Sequence, residues 1–213
     1  MNAFWQRRKW DVLGVMVALL VGGALFAWNR VVLQPKRHRV VCQQNLKQIG
    51  LAVLQYSRNY DEKLPMAANW SDALLPYIRP GGESGAASYV AQFSCPQRAD
   101  RLYGYSYHQR LERKSFAVFD KPERIVMFFD SDVGRRSAAD NGQSLANPPR
   151  HPELTNIICY LDGHVKAQKQ VNFSDGLNLQ RLTLYQRLVK DGKWRIVEKL
   201  KKHSGDQDKA GTR

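Results

Sequence analysis

Residues 38–65 read HRVVCQQNLKQIGLAVLQYSRNYDEKLP, and Cys42, Leu46, Ile49, Val53, Tyr56 and Tyr60 recur in it at alternating spacings of four and three. Such spacing stacks side chains along one face of an α-helix. A face of this length needs a partner surface, which strand-like runs further along the chain supply. Pro65, with no N–H to donate, closes the helix.

Toward the N-terminus, Val12 to Trp28 runs VLGVMVALLVGGALFAW without a charge, and Val31, Val32 and Leu33 resume the apolar run after Asn29 and Arg30. At about 1.5 Å per residue the uncharged stretch covers roughly 25 Å, and continuation to Leu33 reaches the roughly 30 Å of a bilayer's hydrocarbon. The reading is a transmembrane helix over 12–33. Trp5 and Trp10 on one flank and Trp28 on the other serve as interfacial anchors, and Arg30 snorkels into the far headgroups. Pro35 ends or kinks whatever helix continues. A cleaved signal peptide would need a small-x-small site, and AWNRVVLQPKRHR after Phe26 offers no good one, so a retained anchor is preferred. Arg7, Arg8 and Lys9 nearly balance Arg30, Lys36, Arg37 and Arg39 across the span, and only the short N-terminal tail favours N-inside.

Toward the C-terminus a short helix is expected from Ser71 as N-cap through DALLPYI, with Trp70 stapled onto its first turn. Pro80, Gly81 and Gly82 open a loop. The period then changes to two: YGYSYH (103–108), RIVMFF (124–129) and TNIICYL (155–161) read as strands. Asp162-Gly163 leads from the last of these into HVKAQ, a hairpin signal because the turn needs positive φ angles. LTLYQRLVK, Asp191-Gly192 and KWRIVEKL have the same form and read as a second hairpin, in competition with a helix through Leu177 to Leu188.

The fold class is therefore α+β: an N-terminal transmembrane helix continuing into a long amphipathic helix packed on a small antiparallel sheet. The segments are a basic tail (1–11), the span (12–33), the amphipathic helix (34–64), a globular domain (65–170), a hairpin extension (171–200) and a polar, disordered tail (201–213). Of 213 residues, 43% are hydrophobic, which excludes disorder throughout. The formal charge of +14 points to an anionic partner, lipid or nucleic acid. Three cysteines, Cys42, Cys95 and Cys159, are too few for a disulfide scaffold and lack the close pairing of a zinc site.

In order the chain presents a basic start, an apolar span, RVVCQQNLKQIGLAVLQYSRNYDEKLP, NWSDALLPYI, FSCP, YGYSYH, IVMFFDSD, RH and YLDGHVK. This order resembles the pseudopilin-like relatives of the type II secretion major (G-type) pseudopilin whose sheet carries a His, about nine residues, then Asp-Gly. The resemblance covers residues 7 to about 168. CQQNLKQIG, with Asn45, Leu46 and Ile49, is its most specific piece, and His151, Asp162, Gly163 and His164 carry the C-terminal motif. His151 is followed by ten residues before Asp162-Gly163, which a longer loop after Pro152 absorbs.

The resemblance implies a single-span protein of the bacterial inner membrane, N-terminus inside and globular part extracytoplasmic. Its partners would be membrane lipid and other envelope or pseudopilus subunits, further copies of itself included. Prepilins of this kind carry Gly before the cleavage point, then Phe-Thr-Leu-Ile-Glu. Here Lys9, Trp10, Asp11, Val12, Leu13 and Gly14 stand instead, without the peptidase's Gly or the assembly-guiding Glu. The resemblance thus points to a non-classical relative that stays anchored.

It also implies a bridge between Cys42 and Cys95, where the family often has its two cysteines; two buried thiols are the alternative. Cys159, alternating with Ile158, reads as core. Asp130, Asp132 and Asp140 correspond to the acidic loop that binds calcium in major pseudopilins, although Arg135 and Arg136 among them favour a plain solvated loop and no cofactor. His151, Asp162, His164 and Asp130 meeting at strand ends would suit an anchored metal-dependent enzyme. Asp162 is already explained by its turn, and no Gly-x-Ser-x-Gly, phosphate loop or HExxH occurs, so the reading is non-catalytic. Lys190, Lys193, Arg195, Lys199, Lys201 and Lys202, with Tyr185 and Trp194, would suit nucleic acid in a DNA-binding minor-pilin-like protein. A solvated basic edge is preferred, and nucleic acid is not the expected partner.

Overall fold

The computed structural model describes residues 2–78, 86–98, 103–174, 184–185, 188, 191–193 and 195–199, without the side chains of 2–10 and 86–89. Helix α1 (Asn2–Trp28) passes through a π-helical turn, Asn29–Leu33, into α2 (Gln34–Asn59). In the wide turn Gln34 N–H bonds to Asn29 O, and Pro35, which has no donor, falls in the first turn of α2. Pro35 therefore neither ends nor breaks the rod, because the π turn removes the demand on the proline nitrogen and gives its ring room.

From Asp11 to Asn59 this is one 49-residue helix, long and apolar enough in its first part to cross a membrane. Its two halves differ in burial. Residues 11–28 are exposed throughout, Leu19 and Leu20 at 69%, whereas α2 buries Cys42, Asn45, Leu46, Ile49, Gly50, Ala52, Val53 and Ser57. Trp28 and Arg30 are exposed, and Arg30 lies over the Phe26 ring. The backbone of Trp10 is helical, and its side chain lies outside the described residues. The amphipathic helix stops at Asn59 rather than 64, because the chain turns through positive φ at Asp61 and Glu62 before Pro65 is reached. Tyr60 is thus off the helix; it stacks on Tyr56 at 4.2 Å.

Next come α3 (Trp70–Leu74) and α4 (Ala86–Phe93). Ser71 is not the N-cap of α3, which begins at Trp70; the Ser71 hydroxyl pairs with that of Ser137. Trp70 is core, its indole N–H donating to Ala138 O at 2.9 Å and its ring against Phe93 and Phe128. The loop at Pro80, Gly81 and Gly82 lies outside the described residues.

The strands are β1 (Tyr103–His108), β2 (Val126–Gly134), β3 (Ala139–Asp140), β4 (Asn156–Tyr160) and β5 (Val165–Gln168), in spatial order β3-β1-β2-β4-β5. Three of the four pairings are antiparallel, but β1 and β3 run parallel, so the five-stranded sheet is mixed, not antiparallel as expected. One face carries Tyr105, Tyr107, Met127, Phe128, Ile157 and Cys159 into the main core against α2. Val126, Phe129 and Ile158 point the other way, under Leu145 and Phe173.

The β4–β5 hairpin forms where the sequence places it. Gly163 N–H bonds to Tyr160 O and Tyr160 N–H to His164 O, with Gly163 at φ +83. This is a three-residue loop with glycine at the left-handed position, the form that needs no Cβ there. The second hairpin is a correction. Leu184, Tyr185 and Leu188 are helical, as are residues 195–199, so only the turn at Asp191-Gly192 survives from that reading. Tyr185 and Val197 are buried in the main core, which draws the extension onto the domain. Lys190, Trp194 and the tail 201–213 lie outside the described residues.

Candidate functional site

Four buried side chains meet where α2, the end of α4 and the sheet join. Cys42 comes from the α2 face that the apolar spacing turns inward, and Cys95 follows α4 directly. Their sulfurs are 2.6 Å apart. His151 Nε2 lies 3.7 Å from Cys95 Sγ and 3.2 Å from Asp130 Oδ2. Asp130, on β2, accepts the Ile157 N–H from β4 at 2.6 Å. His151 is fixed by a two-way backbone pairing with Thr155, and the intervening chain turns at Pro152 with positive φ at Glu153 and Leu154.

Asn45, one helical turn beyond Cys42, locates Cys95. Its amide donates to Ser94 O at 3.0 Å and Ala91 O at 3.3 Å, at the end of α4, while Gln92 donates to its side-chain oxygen. The next inward positions, Leu46 and Ile49, are fully buried core. Tyr105, also buried, donates its hydroxyl to Ser94 O.

The electrostatics follow from this packing. Burial works against a charged His151 ring, but the hydrogen bonds to Asp130 and Cys95 outweigh it and push its pKa up to about 9. The hydrogen bond with Cys42 lowers Cys95 to about 5, against burial and with help from His151. Cys42, bonded to Cys95 and buried, is held well above the usual thiol range. The cluster therefore favours one thiolate, at Cys95, facing an imidazolium. Cys159 is raised by burial, as a core thiol is.

The structure divides the expected His and Asp constellation. His151 and Asp130 stand at the start of β4, with the cysteines. Asp162 and His164 stand beyond its other end, five strand residues or roughly 17 Å away. There His164 bonds to Asp162 and stacks on Tyr160 at 4.3 Å, and Lys47 of α2 donates to Gly163 O at 2.8 Å. The four do not converge as an enzyme centre would require.

The calcium residues do not fit that ion either. The acidic run is not one loop, because β2 continues through Asp130 and Asp132, and Asp140 belongs to β3. Asp130 is buried against His151, Asp132 takes Arg150 and the Asn147 N–H, and Asp140 takes the N–H groups of Gly142 and Ser144. Three carboxylates spent on separate partners do not offer the shared shell of six to eight oxygens that calcium takes. Tyr185, a candidate for stacking on bases, is buried and closed to them. Among the described residues, Cys42, Cys95 and His151 alone bring three His, Cys or acidic groups within metal-ligand reach of one another.

No protein-family model, curated protein or solved structure matches this chain.

Proposed function

We propose that this chain is a membrane-anchored, non-catalytic structural protein of the pseudopilin-like kind, held by one span in a bacterial inner membrane with its α+β domain on the extracytoplasmic side. The observation that carries the reading is the division of one helix: residues 11–28 have no protein cover for their apolar side chains, while α2 is the spine of the domain core. Apolar surface of that extent needs lipid. The order of motifs from the basic start to YLDGHVK supports the pseudopilin-like identity, and the absence of the Gly and Glu of the processing site supports a protein that stays tethered. A domain in that compartment lets Cys42 and Cys95 close as a covalent tie between α2 and the segment after α4.

The test is fractionation of full-length protein together with protease protection. Retention in the membrane pellet after alkaline carbonate, with the domain cleaved by protease added to spheroplasts, is the expected result. Release by carbonate, or a domain protected until the cells are lysed, removes the reading.

A further inference from the structure

Cys95 Sγ, His151 Nε2 and Asp130 Oδ2 form a line with steps of 3.7 and 3.2 Å, and all three side chains are buried. A plain structural cross-link needs only two cysteines and apolar cover. Here a basic ring and a carboxylate are buried beside one of the sulfurs, and Asp130 Oδ1 and His151 Nδ1 have no hydrogen-bond partner among the described residues. Burying such groups costs free energy unless they meet charge or hydrogen bonds in some state of the site.

We infer that Cys42, Cys95, His151 and Asp130 constitute a thiol–disulfide redox site whose reduced state is a Cys95 thiolate held against a His151 imidazolium. The inference rests on the reading that the domain lies where this pair can be oxidised. The step balances with two equivalents of a thiol RSH as reductant. The Cys42–Cys95 bond breaks and an RS–SR bond forms, with two electrons passing to the protein sulfurs. One thiol proton goes to Cys42 Sγ and the other to a neutral His151 at Nε2, between Cys95 Sγ and Asp130 Oδ2.

The other groups that face the pair are Cys42 from α2 and Tyr105 from β1, and burial holds the Tyr105 phenol neutral. Asp130 from β2 completes the ring of neighbours and keeps the proton on His151. The lowered Cys95 and raised His151 agree with the geometry. An ion pair present in the dithiol alone favours reduction, so the bond is more oxidising than a staple in an apolar core. Exchange needs a local opening, but the equilibrium does not depend on the route.

The experiment equilibrates full-length protein in detergent micelles with reduced and oxidised glutathione at pH 7 and counts alkylated thiols by mass. His151→Gln is expected to move the equilibrium at least tenfold toward the disulfide, about 30 mV. Asp130→Asn should move it the same way by less. A shift under twofold, or one toward the dithiol, overturns the inference. A second measurement needs neither variant: reduced wild type should show thiolate absorbance at 240 nm for one sulfur at pH 7, lost below about pH 5 and missing in Cys95→Ala. Absence of that band overturns it too. Tight uptake of one Zn²⁺ by the reduced wild type, abolished in His151→Gln, would overturn it in favour of a metal centre. No disulfide at any glutathione ratio sinks both the inference and the covalent tie, while carbonate extraction reports on the membrane anchor independently.

Discussion

Gly50 of α2 packs against Cys159 of β4 so closely that a Cβ on Gly50 would stand 2.7 Å from the Cys159 sulfur and 3.5 Å from Gly163 Cα. Helix and sheet meet there with no intervening layer. Gly50→Ala gains about 1 kcal/mol in helix propensity but must displace the buried Cys159 sulfur, an overpacking cost of about 1–3 kcal/mol. A net loss of about 1 kcal/mol is expected, read as a lower thermal midpoint in near-ultraviolet circular dichroism. Gly50→Ala combined with Cys159→Ala should recover most of it. A single variant more stable than wild type would show that the contact is loose.

Asn45 should matter more than its polar character suggests. Asn45→Ala takes the amide away from the Ser94 and Ala91 carbonyls and leaves Gln92 only the backbone oxygen of residue 45. A loss of about 1–3 kcal/mol is expected, with faster alkylation of Cys95 in the reduced protein as the end of α4 loosens. Urea unfolding and timed alkylation check both parts.

The reduced domain should show a stability plateau in pH. Between about 5 and 6.5, Cys95 is ionised in the fold but protonated when unfolded, so stability rises with pH. From 6.5 to about 9, His151 keeps a proton in the fold that the unfolded chain has lost, and this opposes the Cys95 effect, leaving the curve flat. Above 9 the unfolded chain ionises Cys42 while the fold does not, and stability falls. Denaturant titrations from pH 5 to 10 under reducing conditions read the profile. A steady rise from 6.5 to 9 would mean that His151 does not hold its proton.

A charge at the centre of the exposed apolar stretch should block insertion. Leu20→Arg adds about 2.5–3.5 kcal/mol to the apparent insertion free energy, which should move much of the protein out of the carbonate-resistant fraction. Unchanged retention would show that this stretch is not the anchor.

The long helix was legible because its inward residues follow the 3.6-residue period without interruption, and the β4–β5 hairpin because Asp162-Gly163 demands a turn whatever surrounds it. The extension misled for a physical reason. In LTLYQRLV, Leu184 and Tyr185 with Leu188 fit a helix spacing as well as a strand's, and the docking of Tyr185 in the core decides for the helix. β3 has two residues, too few for any period to show.

The resemblance implies the approach of Cys42 to Cys95, but that of His151 to the two cysteines lies beyond sequence reading, because it depends on how α4 and β4 seat on α2. The one local signal was a polar Asn45 inside an apolar stripe, a position that calls for buried hydrogen-bond partners. Asp130 reads two ways in the sequence, in an acidic loop or beside His151, and strand alternation decides by placing it on the same face of β2 as Phe128.

The π turn at Asn29–Leu33 has a mechanical consequence. With no flexible linker between α1 and α2, any roll or tilt imposed on the hydrophobic rod is delivered to the domain as torque, and the five widened residues set how the rod leads into the domain.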